Sequence, residues 1–271
     1  VANGNTGNFT MFDITFDNVA EGFKHGSGAG TVLEMTNYSV SNADRACFDF
    51  AKDTEATLTN GTLTNCNTQG VAGGGAIVSD QSTPSTAGSL TIHELDVTNV
   101  AGDLINVDFT AVHLVNVTSS ASSTSGYALK ASGFGTQGNS IQSEWCGAGS
   151  SCTHVENFDA TGYSSGIEIH SITNYALVNV EVDGNVVYKR EGTGINPGPT
   201  SVDAVMNEIT TSGNIHLYRT IPMTLDEISA GDLIFYSDAP SGFQASYSDV
   251  QLSGEFAISG GISALEQLAS H

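Results

Sequence analysis

The chain has 271 residues, enough for one large domain or two small ones with a sizeable core. Only 13% of the residues are charged, yet 7 Lys and Arg face 29 Asp and Glu, a formal net charge of −22 that repels nucleic-acid phosphates and anionic lipid headgroups. A 39% hydrophobic content with 12 Phe and 8 Tyr argues against disorder, and no apolar run is long enough to span a bilayer.

From residue 8 onward, short apolar-polar alternations followed by Asn, Gly or Ser recur, the signature of strands punctuated by turns. In chain order the units are Ile14-Thr-Phe-Asp-Asn18-Val, Tyr38-Ser-Val-Ser-Asn42-Ala, Thr62-Leu-Thr-Asn65-Cys, Leu95-Asp-Val-Thr-Asn99-Val and Val115-Asn-Val-Thr-Ser119-Ser. Phe158-Asp-Ala-Thr-Gly162 and Val180-Glu-Val-Asp-Gly184 have the same shape, and Thr211-Ser-Gly213-Asn aligns with Val182-Asp-Gly184-Asn. Anchors 18, 42, 65, 99 and 119 lie 24, 23, 34 and 20 residues apart, and 162 to 184 is 22. That is the spacing of a solenoid.

Each coil then supplies short strands with alternate apolar residues turned inward, pairing in parallel with their copies about 4.8 Å along the axis. The chain must bend sharply between strands. A left-handed residue does this, and that conformation is cheap for Gly and tolerable for Asn. The anchors Asn18, Asn42, Asn65 and Asn99, with Gly162, Gly184 and Gly213, therefore read as structural, and stacked Asn side chains can hydrogen-bond along the axis.

The repeated apolar-x-apolar-Thr/Ser/Asp-Asn/Gly-apolar unit resembles the right-handed parallel β-helix, the pectate-lyase-like superfold with its asparagine-ladder turn, over most of residues 8–220. The resemblance implies an all-β, single-stranded solenoid with about 20–24 residues per coil. Regular short strands also fit a β-sandwich, which has no need of one Asn or Gly at a fixed place in every unit. The expected organisation is a β-helix over 1–222, with 223–271 as terminal coils, a cap or the start of a linker in the same domain. Gly261-Ile-Ser-Ala-Leu-Glu-Gln-Leu-Ala269 has weak helical spacing. VANGNTGNFT lacks a signal-peptide pattern and no amphipathic helix precedes the first repeat, so the chain reads as a segment excised from a longer protein.

Three excursions break the rhythm: residues 69–89, residues 119–153, and Glu191-Gly-Thr-Gly-Ile-Asn-Pro-Gly-Pro199. Loops on a rigid solenoid are where function usually sits. Cys146 and Cys152 are six residues apart in a Gly/Ser loop, which favours a local disulfide. Cys47 and Cys66 lie on neighbouring coils at different distances from Asn42 and Asn65, so their pairing requires the chain to double back and stays open. Sequons at Asn8, Asn37, Asn60 and Asn116 are compatible with export, and an extracellular or cell-surface location is expected. Scarce Lys and Arg beside abundant carboxylates also suit a saline or marine setting.

A 29-residue offset lays Lys189 and Arg190 beside Arg219, with Tyr188, His216 and Tyr218 nearby. Such a face can hold an acidic sugar, Arg forking onto a carboxylate and aromatic rings offering stacking surfaces. The β-helix resemblance implies that Arg or Lys acts as base there while Ca²⁺ acidifies the sugar. The competing reading pairs each Arg with a carboxylate such as Glu168, Glu181 or Glu191. His93 and His113, twenty residues apart, read as matched positions on adjacent coils that stack or share a metal. Glu156 would be a third ligand across an intervening coil. Asp13/Asp17, Asp44/Asp49, Asp103/Asp108 and Asp226, Glu227 and Asp232 are oxygen ligands of the kind Ca²⁺ takes, although no calcium-loop motif is present and no cofactor is required.

No catalytic signature appears among the standard motifs, and the Gly-Asp-Gly-x-x-Asp-Asp-Thr opening of many β-helix enzymes is missing. The expected function is a non-catalytic, monomeric module of a large secreted or surface protein: a stalk, spacer or adhesion domain meeting polysaccharide or neighbouring domains. The alternative is a lyase-like enzyme on acidic glycans using Lys189, Arg190 and Arg219. An ice- or crystal-binding surface would need a flat Thr array, for which Thr98/Thr118 and Thr62/Thr64 read as too scattered.

Overall fold

The computed structural model describes residues 7–24, 31–51, 54–79, 88–108, 111–133, 152–171, 174–189, 204–218, 223–236 and 245–259. In it β1 (Asn8–Val19) and β2 (Phe23–Lys24) make a first coil, β3 (Thr31–Ala43) and β4 (Phe48–Phe50) a second, and β5 (Thr54–Cys66) and β6 (Gly75–Ser79) a third. Three more are β7 (Ser89–Val100) with β8 (Asp103–Val107), β9 (Ala111–Thr124) with β10 (Tyr127–Gly133), and β11 (Cys152–Tyr163) with β12 (Gly166–Ser171). Then come β13 (Asn174–Val182) with β14 (Val186–Lys189) and β15 (Ala204–Thr211) with β16 (Ile215–Tyr218). The last are β17 (Met223–Ala230) with β18 (Leu233–Tyr236) and β19 (Ala245–Leu252) with β20 (Phe256–Ser259). The odd strands form one ten-stranded sheet and the even strands another, each strand pairing in parallel with its copy in the next coil. Among the described residues there is no helix. The architecture is an all-β parallel solenoid, and pairing runs past residue 222 without a break in register.

The long strands contain a bend that the repeat units did not reveal. In β3 the inward positions are Thr31, Leu33 and Met35, then Tyr38 and Val40. The parity flips at Asn37, whose φ is 54°. A left-handed residue there turns the strand and slips its alternation by one, so both halves bury their apolar side. Every long strand has one such residue: Asp13, Asn37, Asn60, Glu94, Asn116, Asn157, Asn179, Glu208, Glu227 and Asp249, with φ from 49° to 63°. Amides tie much of this column together, Asn37 Nδ2 donating to Asp13 Oδ1 (3.0 Å), Asn60 to Asn37 (2.7 Å), Asn157 to Asn116 (2.8 Å) and Asn179 to Asn157 (2.8 Å). Three sequon asparagines thus belong to a structural ladder.

The expected ladder is also present. Asn18, Asn42, Asn65, Asn99, Gly162 and Gly184 all have positive φ, and Asn65 Nδ2 donates to Asn42 Oδ1 at 2.7 Å. Gly213 differs: its φ is not left-handed, and glycine is required because a Cβ would fall 2.4 Å from the Gly184 carbonyl. Ser119 is no anchor either. It pairs with Val97, is buried, and meets the Tyr163 hydroxyl at 2.8 Å. The register matches Leu95 with Val117, so the copy of the Leu95 unit in the next coil begins at Val117 and not at Val115. A slip of two leaves every inward residue inward, which is why alternation alone did not expose it.

The core runs between the sheets as one cluster. At the second coil it is aromatic, with Phe48 stacked on Phe50 at 5.6 Å and edge-on to Tyr38 at 5.4 Å. Farther along, Tyr175 and Tyr188 stack at 4.1 Å. Cys47 and Cys66 form a disulfide with Cα atoms 5.4 Å apart. The residue after Cys66 donates its N–H to Arg45 O (2.5 Å), so the end of β5 lies against the 44–47 turn of the coil before and the chain does double back. Cys146 lies outside the described residues.

Candidate functional site

Two outward faces gather chemistry-bearing side chains. On the long sheet, β7, β9 and β11 are consecutive, and no coil intervenes between the last two. His113 is in register with His154, while His93 sits diagonally, paired with Val115 as Thr91 pairs with His113. Matched positions for His93 and His113 are therefore corrected to a two-residue offset, yet the rings still meet. Centroids are 5.4 Å apart for His93 and His113 and 4.7 Å for the stacked pair His113 and His154. Glu156, two residues along β11, brings Oε2 to 3.3 Å from His154 Nε2.

His154 is 3% exposed, and neither ring nitrogen has a hydrogen-bond partner, the Glu156 contact lacking the alignment of one. Burial, then the neighbouring imidazoles of His154 and His93, push His113 down to about 4, and burial lowers His154 as well. Both rings are neutral at physiological pH, leaving a lone pair on each. As the side chains stand, no group of three or more His, Cys, Asp or Glu among the described residues is arranged around a metal ion. Asp103 opens β8 and Asp108 follows its last residue. Asp103 accepts from the Tyr127 N–H (2.8 Å) and from Asn106 Nδ2 (2.5 Å), and Asp108 is buried beside Ser79, whose Oγ accepts its N–H at 2.7 Å.

The second face is the outer side of the short sheet. Lys130, Glu168, His170, His216, Tyr218 and Tyr236 line it on β10, β12, β16 and β18. Lys189 is in register with His170 and Tyr218. Tyr218 and Tyr236 stack at 4.1 Å with planes 4° apart, and His216 Nδ1 is 3.1 Å from the Tyr236 hydroxyl. Burial, then the bonded Tyr236 hydroxyl, raises the Tyr218 pKa. Each of the two tyrosines covers one ring face of the other. Tyr188 does not belong to this face: its position alternates inward, and it is 1% exposed in the core. Arg190, Arg219 and the 191–199 loop lie outside the described residues.

Lys24, Arg45 and Lys130 lie against carboxylates. Lys24 reaches Asp49 at 2.7 Å and Glu21 at 3.2 Å, Arg45 reaches Glu21 at 3.5 Å, and Lys130 lies 3.8 Å from Glu168. Glu168 also meets His170 Nε2 at 2.8 Å.

Along the bend, Glu94 interrupts the amide ladder and lines a groove of about 310 Å³ with Asn60, Asp96, Asn116, Thr118 and Asn157. Beside it the threonines prove aligned rather than scattered. Thr62, Asp96 and Thr118 form one column, and Thr64, Thr98 and Ser120 the next. Asp96 interrupts the first column, and hydroxyls bond their axial neighbours, Thr118 to Asp96 (2.5 Å) and Thr98 to Thr64 (3.2 Å).

Sequence reasoning missed His154 and Tyr236, although signals existed. Val117-Thr-Ser-Ser over Phe158-Asp-Ala-Thr sets His113 over His154, and Ile215-His-Leu-Tyr218 repeats as Leu233-Ile-Phe-Tyr236. Set against known proteins, the chain matches no protein-family model, no curated protein and no solved structure.

Proposed function

We propose that this chain is a non-catalytic module of a large secreted or cell-surface protein, a rigid right-handed β-helical spacer or adhesion domain. The observation that carries this reading is the parallel pairing of each strand with its copy through ten coils, with local register shifts at Tyr127/Leu129 and Thr161/Tyr163. At about 4.8 Å per coil such a stack is a rod of roughly 45 Å. The outward polar groups support the reading, because ladder amides and column hydroxyls are engaged with axial neighbours. The Cys47–Cys66 disulfide favours an oxidising compartment. Right-handedness follows the general preference of parallel β crossovers.

A second reading, acidic-polysaccharide binding or cleavage, is favoured by one observation: Lys189 shares a row with His170, Tyr218 and Tyr236, and His216 stands in the next outward row of the same sheet. The deciding experiment incubates the protein with acidic polysaccharides, with calcium or with EDTA. It follows the ultraviolet absorbance of unsaturated products and retardation in affinity gels. The module reading expects no product under any condition. Product formation abolished by Lys189→Ala would overturn it in favour of a lyase.

A further inference from the structure

We propose that the row His93, His113, His154 and Glu156 binds one divalent transition-metal ion of the zinc, copper and nickel class. The site is independent of the spacer reading and lies on the long sheet, away from the tyrosine row.

Topology supplies the first argument. Residues far apart in sequence are brought onto three consecutive parallel strands, with His113 in register with His154 and His93 diagonal to His113. Adjacent strands lie about 4.8 Å apart. Two metal–nitrogen bonds of about 2.1 Å can together bridge up to about 4 Å, so neighbouring imidazoles need only turn toward one another to share an ion.

The second argument is the state of His154. A structural histidine this buried normally gives its ring N–H to a carbonyl or carboxylate and receives a bond at the other nitrogen. His154 is 3% exposed and has no such partner at Nδ1 or Nε2. Glu156 Oε2 stands 3.3 Å from its Nε2. Imidazoles with one carboxylate form a donor set suited to zinc, copper or nickel rather than calcium, which prefers oxygen.

The rings as they stand do not surround one point. Binding therefore turns the more accessible groups, half-buried His93 and His113 and the 31% exposed Glu156, toward His154. Val115 and Val178 beside them are apolar and offer no competing ligand.

The test uses the whole chain after removal of any histidine tag. Zinc chloride is titrated calorimetrically, and the copper(II) form is examined by electron paramagnetic resonance. One equivalent is expected, with nitrogen hyperfine structure in the copper spectrum. His113→Ala and Glu156→Gln should each weaken zinc at least tenfold, while His216→Ala should leave it unchanged. His113 and Glu156 carry the test because replacing buried His154 can unfold the coil. No saturable zinc binding, or binding that survives His113→Ala at full strength, would overturn the proposal. In the first case the row carries protons only, and in the second the ion sits elsewhere on the acidic surface.

Discussion

The ring of Tyr38 occupies the space that a side chain at Gly61 would take: a Cβ built on Gly61 falls 2.0 Å from Tyr38 Cζ. The two are register partners on β3 and β5, and Tyr38 is 3% exposed. Gly61→Ala should cost about 2 to 3 kcal/mol by overpacking. In a Tyr38→Leu background the same change should cost much less, and equal losses in a urea-denaturation double-mutant cycle would contradict the coupling.

Buried tyrosines separate by whether the hydroxyl has a partner. Tyr175 Oη is buried without one, whereas Tyr163 meets Ser119 Oγ at 2.8 Å. Tyr175→Phe should be neutral or stabilising by up to about 1 kcal/mol, and Tyr163→Phe destabilising by about 1 kcal/mol. Thermal melts of the two variants should move in opposite directions or, at the least, only the second should fall.

Glu94 stands in the bend column where its neighbours Asn60 and Asn116 are asparagine. Asn tolerates left-handed backbone better than Glu, and an amide there can link the two halves of the ladder. Glu94→Asn should stabilise the protein by about 1 kcal/mol and raise the melting temperature by roughly 2–4 °C. An unchanged or lower melting temperature would mean that Glu94 holds a compensating interaction in its groove.

Cys47 and Cys66, 0% and 1% exposed, close a sequence separation of 19 residues. Replacing both by serine should remove about 3 kcal/mol. Because the sulfurs are buried, alkylation after mild reductant should require denaturant, which intact-mass spectrometry can follow. Rapid labelling of the folded protein would contradict the burial.

Composition and the Asn/Gly anchors were sufficient to expect a parallel solenoid, because a residue that must adopt left-handed backbone advertises itself in the sequence. Asn18, Asn42, Asn65 and Asn99 were legible for that reason. The bend column was not, since it mixes Asn with Asp and Glu, and Glu94, Glu208 and Glu227 carry no such signature. Three of its asparagines, Asn37, Asn60 and Asn116, were visible only as sequons.

The sequence by itself determined the repeat, the inward alternation and the poverty of positive charge. Tertiary structure decided what stands beside what. Alternation is blind to a slip of two residues, so only hydrogen-bonded register placed His93 diagonal to His113 and brought His154 alongside it. The same register turned Tyr188 into the core against Tyr175 and left Tyr218 outside with Tyr236. Likewise, the Cys47–Cys66 bridge depends on a turn of one coil meeting the strand end of the next, a contact across the stack that no single unit encodes.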